Sequence, residues 1–276
     1  MIPDAIDDGG VALRLARPPE RIVSLVPSLT ELVCALGCAP RLIAVTRYCT
    51  DPPEIVAGLV KVGGTKNPDC DAILALAPDL ILVNAEENRR ADYDRLVAAG
   101  VPVFNSFPKS VLAAALSIRR LGNVLGRAEE ADDLASRIEA ERAAALERIS
   151  RRTRVFCPIW RNPWMTFNRD TFAHDLLWCA GADNVAADAA DRYPRVELSD
   201  IAARRPEVVL LPDEPYRFAE RHVATLGELS ETPAWRDQRI HLVDGKAVSW
   251  YGPRTPTALA DLSRLLFPLP HPAGEG

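Results

Sequence analysis

The 276-residue sequence holds six cysteines without a CxxC pair and four histidines without ligand spacing. That argues against a zinc site, and no resident metal or cofactor of its own is expected. Cys34, Cys38, Cys49, Cys70, Cys157 and Cys179 read instead as reduced, mostly buried thiols acting as small hydrophobes. A basic excess is also missing. The net charge of −5 excludes nucleic acid or an anionic membrane as the main partner, because both demand a positive footprint. No apolar run approaches the length of a membrane-spanning helix. The opening MIPDAIDDGG is acidic and shows neither the basic nor the apolar region of a secretory signal. Catalytic signatures are wanting too: there is no GxSxG, no GxxxxGK[ST] and no Ser/His/Asp order.

What is present is a duplication. Asp71–Val83 reads DAILALAPDLILV and Ser199–Leu211 reads SDIAARRPEVVLL, in register without a gap. In each copy a short amphipathic helix ends before a proline, which cannot continue it cheaply. A fully apolar strand follows, of the kind covered on both faces in a parallel sheet. With 48% hydrophobic and 26% charged residues, the chain is long enough for two cores. The expected fold class is α/β: two Rossmann-like lobes with parallel sheets, built of right-handed βαβ units and joined by one long backbone helix. The expected domains are 1–126, a helix within 127–152, and 153–276. A cleft between the lobes is where function should sit.

Along the chain, Val11–Leu15 is expected as a short edge strand and Arg21–Val26 as a core strand. Ser28 and Glu31 form a capping-box pattern opening a helix over Leu29–Leu36, with Gly37 past its end. Strand Leu42–Thr46, helix Asp92–Ala99, strand Val101–Phe104 and helix Val111–Leu125 complete the first lobe. From Ala128 to about Arg151 there is no Gly or Pro, which predicts an uninterrupted helix. Its stripe of Ala131, Leu134, Ile138, Ala145 and Ile149 is thin and suits packing inside the molecule better than a partner-binding scaffold. The second lobe is read as strand Arg154–Ile159, helix Thr171–Cys179 capped by Asp170, the second repeat copy, strand Ile240–Val243 and helix Thr257–Phe267. A Pro/Gly tail beyond Phe267 is expected to fray.

In open parallel sheets ligands bind at the loops after the strands' C-terminal ends. Those loops hold Tyr48, then Asn84, then Trp160, Trp164 and Met165, then Asp213, Glu214 and Tyr216, then Trp250, Tyr251 and Arg254. Aromatic residues make up only 6% of the chain, yet three of five tryptophans and, with Tyr193, four of five tyrosines fall in these connections. Stiff apolar faces with polar tips suit a large flat ligand, and interleaved arginines add cation–π contact or paired hydrogen bonds. His174 reads as structural. The Gly63-Gly64 pair reads as a tight turn.

The segments RIVSLVPSLTELVCALG (Arg21–Gly37), RYCTDPPE, VGGTKNPDCDAILALAPDLILV, AAGVPVF and YPRV…PEVVLL together resemble the class III solute-binding proteins of metal-chelate ABC importers. The nearest resemblance is to the cobalamin-binding branch, the helical backbone metal receptors, and it covers roughly residues 10–267. It implies a non-enzymatic receptor that holds a metal-containing macrocycle or chelate, first of all a corrinoid, between two lobes. By position, the family's ligand-flanking residues fall on Tyr48, Met165 and Tyr193, with Trp164 adjacent and Trp250, Tyr251 and Arg254 in the final loop. The family's first-lobe tryptophans are replaced near Thr65-Lys66 and at Asn84. That leaves room beside cobalamin for another corrinoid, a haem or a ferric siderophore. The permease-docking glutamates correspond to Asp71 and Ser199, with Asp200 a substitute in the second lobe. Cys179 falls on a family disulfide position whose mate is Ser263 here. The resemblance implies a monomer serving an ABC permease, periplasmic if a signal was removed and cytoplasmic otherwise. The departures suggest a receptor working without an importer. An alternative is an enzyme that modifies or (de)metallates such a ligand, for which His241 and the Asp213-Glu214 pair are the candidates.

Overall fold

Both copies of the repeated phrase are closed by the same contacts in the computed structural model, which describes residues 6–267. The helix of each copy ends in a residue with left-handed backbone directly before the shared proline, Ala77 at φ 47° and Arg205 at φ 52°. A side chain with a Cβ pays on the order of 1 kcal/mol there. In both copies an arginine from the neighbouring strand caps the strained carbonyl: Arg21 Nε donates to Ala77 O at 3.2 Å, and Arg154 Nε to Arg205 O at 2.8 Å. The acidic residue after the proline answers the same two arginines. Asp79 Oδ1 accepts from Arg21 N at 2.8 Å, and Glu207 Oε2 accepts from Arg154 N at 3.0 Å. Repeat mates Ile73 and Ile201, Ile81 and Val209, and Val83 and Leu211 are all buried in the cores of their own units.

The chain divides into two compact units, with the boundary inside one helix between Ile138 and Glu139. Among the described residues, unit 1 takes those up to 108, 112–138 and 251–253; unit 2 takes the rest. Unit 1 runs β1 (Ile22–Ser24), α1 (Pro27–Ala35), β2 (Leu42–Val45), α2 (Pro53–Val56), β3 (Val60–Lys61), the small hairpin β4 (Gly63–Gly64) and β5 (Asn67–Pro68), then α3 (Cys70–Ala75), β6 (Leu80–Asn84), α4 (Arg90–Ala98) and β7 (Val103–Ser106). The helices α5 (Val111–Leu125) and α6 (Ala128–Glu147) follow. Its main sheet has the order β3-β2-β1-β6-β7 and is parallel throughout.

Unit 2 continues with β8 (Thr153–Phe156), α7 (Phe172–Cys179), β9 (Ala182–Asn184), α8 (Leu198–Ala203), β10 (Val208–Pro212), α9 (Pro233–Arg236), β11 (Ile240–Val243), α10 (Gly245–Ser249) and α11 (Thr255–Leu266). Its sheet is parallel in the order β11-β10-β8-β9. Each sheet therefore has a point where neighbouring strands send their connections to opposite sides, β1/β6 in unit 1 and β8/β10 in unit 2. These are the places where a doubly wound sheet opens a crevice at its strand ends.

Several local expectations are corrected. Val11–Leu15 forms no strand, because Asp7 and Val11 close a tight turn in which Val11 N donates to Asp7 Oδ1 at 2.8 Å. Only a single bridge, Ile6 with Ala12, remains of it. Ser28 does not cap α1. Pro27 occupies the first turn, where its missing N–H costs nothing, and leaves Ser28 inside the helix with an unpartnered hydroxyl. The helix does end as read: Gly37 (φ 73°) and Cys38 donate to Cys34 O and Val33 O, a Schellman closure. Helix α6 stops at Glu147, where Arg148 and Ile149 tighten onto the carbonyls three residues back. Thr171, not Asp170, caps α7; Asp170 instead pairs with Lys109 and Arg192. All six cysteines are free, and five are buried. The tail beyond Phe267 lies outside the described residues.

Candidate functional site

In unit 1, Tyr48 stands on the loop after β2 and is 55% exposed. Its position is set from below by Gly64: a Cβ there would come within 3.0 Å of the Tyr48 ring. From the side, the Arg47 guanidinium carbon lies 5.6 Å from the ring centroid, and Arg47 Nη2 also reaches Asn67 Oδ1 at 3.4 Å. Lys66 is exposed and its ammonium donates to Glu86 O.

Asn84, at the end of β6, is buried and fully engaged. Its Oδ1 accepts from Glu86 N at 2.8 Å and Glu87 N at 3.2 Å, while Nδ2 donates to Tyr251 Oη at 3.0 Å. Tyr251 Oη in turn donates to Ser106 Oγ at 2.9 Å. Burial holds the Tyr251 phenol well above its ordinary value. Asn88 completes the knot, with Oδ1 accepting from Asn84 N at 2.9 Å and Nδ2 donating to Thr65 O at 2.9 Å. Asn84 and Asn88 also line a cavity of about 390 Å³ with Asp7, Arg89 and Tyr93. The amides and Tyr251 thus serve to hold the loop ends of unit 1 in place.

Unit 2 builds its strand-end loops differently. After β8 the chain turns back on itself: Ile159 N donates to Met165 O at 2.8 Å and Met165 N to Trp160 O at 3.1 Å, with Asn162 (φ 60°) at the bend. Val196 N then ties to Trp164 O at 3.0 Å. The half-buried Trp164 stacks on Phe218 with centroids 5.9 Å apart and planes within 5°. Tyr193 is 41% exposed, beside the Arg192 guanidinium at 5.8 Å, and Arg192 is anchored by Nε to Asp170 O at 2.8 Å. Trp250 is almost wholly covered, between Lys246 Nζ at 5.0 Å and Arg254 Cζ at 5.5 Å. Arg254 itself pairs with Asp244 at 3.5 Å.

The exposed site residues are therefore Tyr48, Lys66 and Tyr193, with Trp164, Met165 and Arg254 half-buried and Asn84, Trp250 and Tyr251 inside. The sequence reading singled out neither Trp160 nor Tyr216 as site residues, yet they touch in T-shaped contact at 5.6 Å. Loop position was a signal for both; their contact was not.

The docking positions lie on equivalent helices. Asp71 is exposed in the first turn of α3 and pairs with Arg95; Ser199 and Asp200 are exposed in the first turn of α8. Of the groups considered for catalysis, Asp213 is engaged with the backbone of α10. Asp213 Oδ1 accepts from Gly245 N at 2.8 Å and so opens α10. Burial pushes the Glu214 carboxyl up. Burial and Arg239 push the His241 imidazole down, and its Nε2 makes no hydrogen bond. His174 Nδ1 lies 3.3 Å from Asn184 Nδ2. Among the described residues, no three His, Cys, Asp or Glu side chains gather as metal ligands, and no helix is long and apolar enough to cross a membrane.

A family model described as periplasmic binding protein matches residues 22–247. A vitamin B12-binding protein of Yersinia pestis (strain Pestoides F) is 27% identical over 266 residues, spanning 94% of this chain and 91% of its own. Among solved structures, an apo periplasmic heme-binding protein from Roseiflexus sp. RS-1 is 29% identical at a TM-score of 0.80, covering 90% of this chain and 98% of that one. A periplasmic vitamin B12 binding protein of Vibrio cholerae gives a TM-score of 0.79 over 90% of this chain and 97% of its own; at 23% identity it speaks to the fold alone.

Proposed function

From a chain that belongs to the periplasmic binding protein family, we propose a receptor that binds a metal-containing macrocycle or chelate without transforming it. A corrinoid such as cobalamin is the first choice and a haem or ferric siderophore the next. The observation that carries this is a matched pair of exposed rings. Tyr48 in unit 1 and Tyr193 in unit 2 each stand in solvent with a neighbouring guanidinium, 5.6 and 5.8 Å from the centroid. Exposed, propped rings next to fixed cations suit a large conjugated ligand that carries polar or anionic side groups. Names among the relatives, vitamin B12-binding and heme-binding, point to the same ligand class.

We further propose that the receptor hands its ligand to an ABC permease through Asp71 on α3 and Asp200 on α8. Co-purification with a permease, lost on replacing both aspartates with alanine, is the expected result; unchanged co-purification would remove them from the interface.

Ligand binding is tested by absorbance titration with hydroxocobalamin, cobinamide, haemin and a ferric siderophore. Tyr48→Ala combined with Tyr193→Ala should weaken the preferred ligand roughly a hundredfold, on the order of 1.4 kcal/mol for each ring. Trp250 is left intact in this variant, since removing a buried ring would confuse loss of binding with loss of fold. Equal titration curves for wild type and variant would sink the assignment.

A further inference from the structure

We propose that Trp160 is itself a ligand-contacting residue, stacking its indole against a flat conjugated ring; this rests on the reading of the protein as a macrocycle receptor. Trp160 follows β8 and Tyr216 follows β10, the adjacent strands whose connections leave to opposite sides of the unit 2 sheet. The loops after such a strand pair diverge and leave a crevice at the strand ends. Here the two loops carry rings that meet at the strand ends. The Trp160 ring lies against Tyr216 at 5.6 Å and 74°, and Tyr216 rests on the buried Phe218 at 4.7 Å. Tyr216 Oη also lies 3.4 Å from His222 Nε2. At the backbone, Met165 N donates to Trp160 O.

An indole held against Tyr216 and still 43% exposed is a large apolar surface set in water. Holding it in place beforehand lowers the side-chain entropy lost when a ligand docks. Exposure alone does not single it out. Trp178 is 38% exposed on α7, but the Arg152 guanidinium lies over its ring at 3.9 Å, and it stands at no sheet crevice. A face of this kind recognises a planar π-system. Two sources fit that chemistry, the porphyrin plane of a haem and the benzimidazole base of a cobalamin. The corrin ring is partly saturated and buckled, and it stacks less well.

The experiment titrates haemin, cyanocobalamin and dicyanocobinamide, which lacks the base, into wild type, Trp160→Ala, Trp160→Phe and Trp178→Ala. Trp160→Ala should bind whichever flat-ringed ligand the wild type takes about tenfold more weakly. Trp160→Phe should stay within about threefold, since a flat ring is restored. Trp178→Ala, and cobinamide binding throughout, should not change. Wild-type affinity in Trp160→Ala would overturn the role of Trp160 while leaving the receptor reading intact, and so would an equal loss for cobinamide. A wild type that takes cobinamide but neither flat-ringed ligand would do the same. A wild type that takes none of the three would overturn the role of Trp160, and the receptor reading falls with it only where the ferric siderophore is not bound either.

Discussion

In unit 1 the loops that follow β1 and β6 are tied together by amides and hydroxyls, whereas in unit 2 the loops that follow β8 and β10 meet through rings. The first arrangement runs from Leu25 O and Thr65 O through Asn88 and Asn84 to Tyr251 and Ser106. The second runs from Trp160 through Tyr216 to Phe218. In the repeated phrase the two units agree closely, down to the arginine that caps a left-handed residue before a proline. The difference teaches where a duplicated half is free to change. Contacts that join the first strand to the repeated strand fix the sheet and recur; contacts at the C-terminal ends face the crevice and diverge.

The comparison is best broken at the shared clamp. Asp79→Ala and Glu207→Ala should each cost about 2 kcal/mol, because each leaves a backbone N–H of the first strand without its acceptor. Chemical denaturation of both variants checks it, and a loss confined to one unit would show that the two clamps are not equivalent. Glu207 adds a pH signature. Burial pushes its carboxyl up, but the Arg154 N–H and the Arg151 and Arg154 guanidiniums outweigh that, and the net shift is downward. A depressed carboxylate stabilises the fold above its unfolded value and loses that contribution as pH falls through the folded one. The gap in melting temperature between wild type and Glu207→Gln should therefore be widest near neutrality and close on the acid side.

A smaller effect is expected at the feature unit 2 lacks. Tyr251→Phe removes the hydroxyl that accepts from Asn84 and donates to Ser106, both buried. The expected cost is about 1 kcal/mol, read as a shift in denaturation midpoint at unchanged slope. An unshifted midpoint would demote the polar knot to a bystander. Smallest of all, Ala77→Gly and Arg205→Gly relieve left-handed strain and should change stability by under about 1 kcal/mol, alike in sign in the two units. Opposite signs would separate the copies.

Much of this architecture could be read before any coordinates. Helix α5 and strand β11 have the bounds the sequence predicts, since an apolar periodicity between breakers leaves few alternatives. Capping was less legible. Ser28 and Asp170 are good cap residues by type, but Pro27 and Thr171 hold the positions that the backbone path selects. The site was legible as a set of loops and not as a set of surfaces. Tyr48 and Tyr193 stand out in water, while Trp250 and Tyr251, next to each other in an equally aromatic loop, are covered.

The sequence alone determines the duplicated helix–strand phrase, its parallel strands and the loops that end them, because periodicity, proline and apolar runs act over a few neighbouring residues. Which ring in those loops is turned to water, and which touches which, was decided by tertiary structure. Trp160 meets Tyr216, and Asn84 meets Tyr251, only after distant strands pair. Contacts between residues so far apart in the chain have no local signal to announce them.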